Sequence, residues 1–214
     1  MSNKRNTKGL LLIISSPSGG GKSTLIKTLV NDTETIVFSV SVTTRERRNG
    51  EEEGKDYFFL SKDEFKKRES EGCFIESAEV FGNYYGTPKD YICSQNEKGF
   101  DVILDIDVQG VLQVLDKNID AVTIFLLPPS PSELKKRLVK RGRDRPEEIE
   151  KRLDEACSEI KHAHRYQYIV QSETQEKSVN QILSIIESEH LKVQNSNELC
   201  ENILKEYQDE RKKE

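Results

Sequence analysis

Short apolar runs alternate with segments of helical period along most of this chain. Leu10–Ile14 is an unbroken apolar run, the pattern of a strand covered on both faces, and Asp101–Asp105 (DVILD) and Ala121–Leu127 (AVTIFLL) read as two further buried strands. Thr35–Ser41, Tyr57–Leu60, Phe74–Val80 and Tyr168–Val170 read as further strands. Between them, Lys22–Val30 places Leu25, Leu29 and Val30 at helical spacing, and Thr174–Leu191 does so with Val179, Ile182, Leu183 and Ile186. Ser61 with Glu64, and Ser130 with Glu133 behind Pro131, are capping boxes that start helices running to about Gly72 and into Lys140–Gly142. Thr87 before Pro88 opens a helix to about Lys98, Val108–Leu115 forms another, and Pro146 starts one to about Ala163. Gly82–Gly86 reads as a loop. Strands alternating with helices predict an α/β protein with a mostly parallel sheet. The polar tail beyond Leu191 carries only Leu199, Ile203 and Leu204 as an apolar stripe, so it is a loosely docked helix, a partner contact or a disordered segment.

Composition narrows the function classes. The chain has 214 residues and a net charge of −5, which suits one ordinary domain and gives no electrostatic case for nucleic-acid binding. No run approaches the roughly 18 apolar residues of a membrane span, and Leu10–Ser15 is too short for a signal peptide. Cys73, Cys93, Cys157 and Cys200 are widely spaced without a CxxC pair, as expected of reduced thiols in a cytoplasmic protein. His162 and His164 lack the partners of a metal site and read as solvated helix residues.

The chemistry begins at Ser16–Ser23 (SPSGGGKS), between the first strand and the first helix. Glycines there let successive backbone N–H groups converge on one centre, and the helix N-terminus adds partial positive charge. This is a P-loop in its proper context, with Lys22 reaching β- and γ-phosphates and Ser23 holding Mg²⁺. Ser16 departs from the pattern, which asks for Gly at that position. The alternative is a flexible glycine loop at a sheet edge.

A P-loop leaves the acceptor open. Arg45, Arg47 and Arg48 form a candidate clamp for a second anion, or a solvated charge run balanced by Glu51–Glu53. Tyr57, Tyr84 and Tyr85 could bond that anion or simply pack. Alternation puts Glu76 on the face of Phe74 and Ala78, where a carboxylate is costly without donors. Guanine offers them through N1–H and its 2-amino group, whereas adenine presents the reverse pattern. Ser41 and Thr87 could bond the 6-oxo group, although Thr87 also suits an N-cap. Asp105 and Asp107 share a face at the end of a buried strand. Asp105 is placed to hold Mg²⁺ through water; Asp107 either caps the following helix or meets the guanine amine. Arg137 and Arg141 lie one helical turn apart, with Arg152 on the next helix. They are cations for a migrating phosphoryl group or an ordinary basic surface.

At these residues the chain resembles the guanylate kinase family. The matching stretches are SPSGGGKST (16–24), SVSVTTRERRNGEEEGKDYFF (39–59), FIESAEVFGNYYGTP (74–88), VILDIDVQG (102–110), FLLPPSPSELKKRLVKRG (125–142) and EEIEKRL (147–153). They stand in the family's order and spacing over roughly residues 9–190. The resemblance implies a P-loop core (about 9–38, 98–130 and 157–190), a GMP-binding insert (about 39–97), a small helical lid (about 131–156) and an unassigned tail, 191–214. It implies phosphoryl transfer from Mg·ATP to GMP, with dGMP as a further acceptor and no nucleic-acid or membrane partner. Ser16, Pro17, Ser18, Gly19, Gly20, Gly21, Lys22, Ser23 and Thr24 become the ATP cradle, with Ser23 and Asp105 toward the metal. Arg45, Arg48, Tyr57 and Tyr85 become the GMP phosphate clamp, and Ser41, Glu76, Thr87 and Asp107 the guanine readers beside Asp105. Lys22, Arg45, Arg137, Arg141 and Arg152 become the catalytic cations. Two departures accompany Ser16. Val170-Gln-Ser-Glu173 stands where the family often has Val-Asn-Asp-Asp near the donor adenine, and the lid turn Gly142–Pro146 carries extra arginines. Such a domain can also serve as a binding module for phosphorylated partners, a reading that the intact Lys22–Ser23 disfavours. Another nucleoside monophosphate kinase would lack Glu76.

Overall fold

The computed structural model describes residues 8–80, 82–140 and 145–212. Strand β1 (Leu11–Ser15) is buried at every residue and leads through the glycine turn into α1 (Lys22–Asp32). Next come β2 (Ile36–Phe38), β3 (Val42–Thr43), β4 (Phe58–Phe59), α2 (Lys62–Ser70), β5 (Phe74–Val80), β6 (Asn83–Pro88) and α3 (Lys89–Glu97). The chain then returns through β7 (Asp101–Asp105), α4 (Val108–Asp116), β8 (Val122–Leu127), α5 (Pro131–Lys140) and α6 (Pro146–Ile160). It ends with β9 (Tyr168–Gln171), α7 (Gln175–His190) and α8 (Val193–Arg211).

A five-stranded parallel sheet in the order β2-β7-β1-β8-β9 forms the centre. Its central strand explains the unbroken apolar pattern. Leu12 and Ile14 face a layer built on Leu25, Ile26 and Leu29 of α1 and Val179, Ile182 and Ile186 of α7. Leu11 and Ile13 face the opposite layer, built on Val108, Val111 and Val114 of α4 and Ile92 of α3. Burying each such side chain contributes about 1.5–3 kcal/mol, so the sheet is the rigid platform of the molecule.

A second sheet, β4-β3-β6-β5, is built wholly from residues between β2 and α3. Its core is small and aromatic. Phe65 of α2 stacks on Phe74 at 4.6 Å and on Tyr84 at 5.4 Å between ring centroids. Gly86 makes room for that stack, because a Cβ there would lie 3.1 Å from Phe74 and 3.2 Å from Phe65.

Several local expectations are corrected here. Asn83–Pro88 is a strand paired antiparallel with β5, where Gly82–Gly86 reads as a loop from sequence. Thr35–Ser41 is not one strand. β2 stops at Phe38, Ser39 N–H donates to the Ile103 carbonyl at 2.9 Å, and β3 belongs to the other sheet. Thr87 does not cap α3: the N-cap residue is Pro88, with no side-chain cap bond, and the Thr87 hydroxyl turns elsewhere. The tail is helical and leans on the body through its first turn. Asn195 Nδ2 donates to the Glu189 carbonyl (2.9 Å) and Ser196 Oγ to the His190 carbonyl (2.6 Å), while Ile203, Leu204 and Tyr207 lie exposed.

Candidate active site

The P-loop closes on itself before any ligand is considered. Gly20 N–H donates to the Pro17 carbonyl at 2.8 Å, and Gly19 and Gly21 take φ values of 90° and 99°, open to glycine at little cost. Ser16 is accommodated because Gly20 faces it. A Cβ on Gly20 would lie 2.9 Å from Ser16 Cβ, so only one of the two positions can carry a side chain. Gly19 packs against α5, where an added Cβ would meet Leu138 at 2.9 Å and Leu134 at 3.1 Å. Lys22 Nζ reaches across to the carboxyl edge of β7, donating to the Ile106 carbonyl at 2.8 Å and pairing with Asp105 Oδ1 at 2.6 Å. Ser23 and Asp105 line one cleft with Lys27, Asn31 and Phe38.

Arg137 of α5 ties three segments together. Its guanidinium donates to the Gly20 carbonyl (3.2 Å), Ser172 Oγ (3.0 Å) and the Ser172 carbonyl (2.8 Å), and Glu133 lies 3.5 Å from its Nε. A cavity of about 190 Å³ opens beside it, lined by Thr24, Leu25, Arg137, Ser172 and Gln175. The unusual Gln171-Ser172-Glu173 is engaged by the protein itself. Gln171 donates to the Pro129 carbonyl (3.3 Å), Ser172 receives Arg137, and Glu173 pairs with Lys177 (2.7 Å).

The second sheet and its flanking loop carry Glu76, Thr87, Arg45, Tyr57 and Tyr85. Glu76 is 7% exposed and Thr87 1%, and Thr87 Oγ1 donates to Glu76 Oε1 at 2.6 Å. Burial pushes the Glu76 carboxyl up, the Thr87 bond opposes that, and the Asp107 charge adds to the rise. Asp107 itself caps α4, accepting from Gly110 N–H at 2.8 Å. Arg45 stands 5.5 Å from the Tyr57 ring centroid, and the Tyr57 and Tyr85 rings meet edge-on at 6.0 Å. Ser41 fixes the local main chain, its carbonyl accepting from Phe58 N–H at 2.9 Å.

This geometry coincides with sequence likeness along the whole chain. Residues 8–189 match the family model described as guanylate kinase. A guanylate kinase of Clostridium perfringens (strain SM101 / Type A) is 45% identical over 206 residues, covering 96% of this chain and 94% of that one. The chain belongs to the guanylate kinase family. A guanylate kinase of Caldanaerobacter subterraneus subsp. tengcongensis is 43% identical over 199 residues, covering 93% of this chain and 97% of its own. The crystal structure of guanylate kinase from Anaplasma phagocytophilum superposes with a TM-score of 0.67 at 37% identity, covering 88% of this chain and 90% of that one.

Within this guanylate kinase fold, Lys22, Asp105 and the P-loop meet at one sheet edge, Glu76 meets Thr87, and Arg45 meets Tyr57. Arg48 is exposed; its backbone N–H, not its guanidinium, bonds into the site. Arg152 is half-buried on α6. Arg141 lies outside the described residues. Two acidic residues escaped sequence reasoning. Glu51 grips Arg45 bidentately at 2.7 and 3.2 Å and accepts from Arg48 N–H at 2.8 Å, and the Arg45 bond holds its carboxyl below the usual range. Burial pushes the Glu159 carboxyl of α6 up, and the nearby Ser18 backbone opposes that. For Glu51 the signal was its spacing of six from Arg45 and three from Arg48; for Glu159 none was readable.

Proposed function

We propose that the protein transfers the γ-phosphoryl group of ATP to GMP, giving ADP and GDP. The observation that carries this reading is the buried Glu76 carboxylate, held by Thr87 in a sheet whose other residues offer a paired arginine and tyrosines. A buried carboxylate that accepts from one hydroxyl retains acceptor capacity, which guanine N1–H and the 2-amino group would fill. Adenine has no donor at its N1, so the same carboxylate rejects it.

The acceptor atom is a phosphate oxygen already ionised at neutral pH, so no general base is required. The obstacle is repulsion between two anions and misalignment of their oxygens. P-loop N–H groups and the α1 N-terminus hold the β- and γ-phosphates, and Lys22 leaves Asp105 to follow the migrating charge. Arg45, oriented by Glu51, holds the acceptor phosphate with Tyr57 and Tyr85. Arg137 keeps the P-loop and the donor-base loop in one register. Arg48, Arg141 and Arg152 supply further positive charge on closure. Ser23 Oγ and the Asp105 carboxylate are hard oxygen donors on one cleft, a set that suits Mg²⁺. Held by Ser23 and Asp105, Mg²⁺ would offset the negative charge of the transferred phosphates.

No helix among the described residues is long and apolar enough to cross a membrane, and free Cys73, Cys93, Cys157 and Cys200 fit a reducing cytoplasm. The deciding experiment measures ADP release from Mg·ATP with GMP, dGMP, AMP, UMP and CMP. Turnover restricted to GMP and dGMP supports the reading. No turnover from folded protein overturns it.

A further inference from the structure

β5 is the edge strand of its sheet, and it carries Glu76 at an irregular place. The β5–β6 register shifts between Phe74↔Pro88 and Ser77↔Gly86, so the main chain around Glu76 lacks continuous ladder support. In a strand a slip of one residue turns every side chain to the opposite face. A carboxylate that reads a base cannot tolerate that ambiguity.

The missing support comes from a helix of the other layer. Gln113 of α4 treats Ser77 as a strand neighbour would: Ser77 N–H donates to Gln113 Oε1 (3.3 Å), and Gln113 Nε2 donates to the Ser77 carbonyl (3.1 Å). One turn later Lys117, at the C-cap of α4, donates from Nζ to the Ile75 carbonyl at 2.8 Å. Ile75 and Ser77 flank Glu76 directly. From the opposite side Ser77 Oγ donates to Glu69 Oε1 of α2 at 2.6 Å. α4 also comes close to the carboxylate itself, because a Cβ on Gly110 would lie 3.4 Å from Glu76 Oε2. The helix is fixed to the core by buried Val108, Val111 and Val114, and it begins at the Asp107 cap, two residues beyond Asp105.

We propose that Gln113 and Lys117 are positioning residues for guanine recognition, clamping the main chain on both sides of Glu76 and setting its carboxylate relative to the phosphate edge of the core sheet. The inference rests on the reading that Glu76 receives the guanine. It explains how an edge strand with a register fault can carry the base reader: α4 supplies the register that β6 does not.

The test compares GMP with inosine monophosphate, which lacks the 2-amino group, in Gln113→Leu, Lys117→Met, Glu76→Gln and the Gln113→Leu/Glu76→Gln double variant. Gln113→Leu is expected to lower kcat/KM for GMP about tenfold and to narrow the GMP-to-IMP ratio, with the KM for ATP within about twofold of the parent. Lys117→Met, at an exposed site, is expected to act in the same direction more weakly, and serves if Gln113→Leu does not fold. In the Glu76→Gln background the Gln113 change should leave the ratio where it is, the mark of coupled residues. If Glu76→Gln narrows the ratio but neither α4 variant does, the clamp is wrong and the Glu76 reading stands. If Glu76→Gln leaves the ratio unchanged, the Glu76 reading fails and the inference falls with it. An equal loss for both acceptors in the α4 variants also overturns the inference, since a merely structural role predicts it.

Discussion

Lys22 Nζ and Asp105 Oδ1 lie 2.6 Å apart, joining the P-loop helix to the carboxyl end of β7. The pair is partly exposed, with side-chain exposures of 15% and 26%, so it is worth little as a stabilising bridge. Its importance lies in the proposed placement: with Lys22 as a phosphate cation, Asp105 is the partner that releases the ammonium when phosphate enters. Asp105→Asn keeps the shape and removes that charge. We expect kcat to fall about 10²-fold and the Mg²⁺ concentration for half-maximal rate to rise, read from rate against Mg²⁺ at saturating nucleotides. Unchanged values would take Asp105 out of the phosphate edge.

Glu76 gives a pH prediction. Burial raises its folded pKa above the ordinary carboxylate value of about 4.3, so between the two values the native state holds more protons than the unfolded one. Stability from this group therefore falls as pH rises through that window and recovers on acidification. Binding runs the other way, because only the carboxylate accepts from guanine. Plotting kcat/KM for GMP against pH should reveal an acidic limb above the ordinary carboxylate range. Glu76→Gln should lose that limb, lower kcat/KM for GMP by about 10–100-fold and narrow the gap to AMP.

Arg137, expected among the catalytic cations, bonds to Gly20 and Ser172 in this structure. Losing them should cost about 2 kcal/mol, as for hydrogen bonds from a charged donor. In a chain of this size that lowers Tm by about 4–8 °C. Arg137→Ala should also raise the KM for ATP, because the donor cavity loses a wall. A pure kcat effect with parental Tm would instead mark Arg137 as a transition-state cation only.

Glu51→Gln tests how the acceptor clamp is set. The amide cannot hold the Arg45 guanidinium as the carboxylate does at 2.7 and 3.2 Å. A several-fold rise in KM for GMP at unchanged KM for ATP is expected from steady-state kinetics. Equal effects on both substrates would show that Glu51 supports the fold and not the clamp.

The core sheet was readable because β1, β7 and β8 need apolar residues on both faces, and their runs are too short for buried helices. Ser61, Ser130 and Thr174 were readable as helix starts, and each accepts from the backbone three residues on. β6 was hidden because Gly82 and Gly86 are turn residues by composition, whereas Gly86 is there to admit Phe65 and Phe74. Thr87 obeyed cap chemistry locally and was claimed by Glu76, eleven residues away in sequence. Glu51 was one acid in a charge run, and only folding shows which arginine it grips. Gln113 gave no signal at all, since a helical glutamine carries no mark of the strand it will support.

No strand of the core sheet pairs with a strand of the smaller sheet among the described residues. The smaller sheet rests on a hydrophobic cluster of Val42, Phe65 and Phe74, far fewer buried side chains than the core has. Amides of β3 and β6 should therefore exchange with solvent through a separate and cheaper opening than those of β1 and β7. A nucleotide touching both sheets would merge the two openings, so substrate would act as the staple that makes the molecule unfold as one.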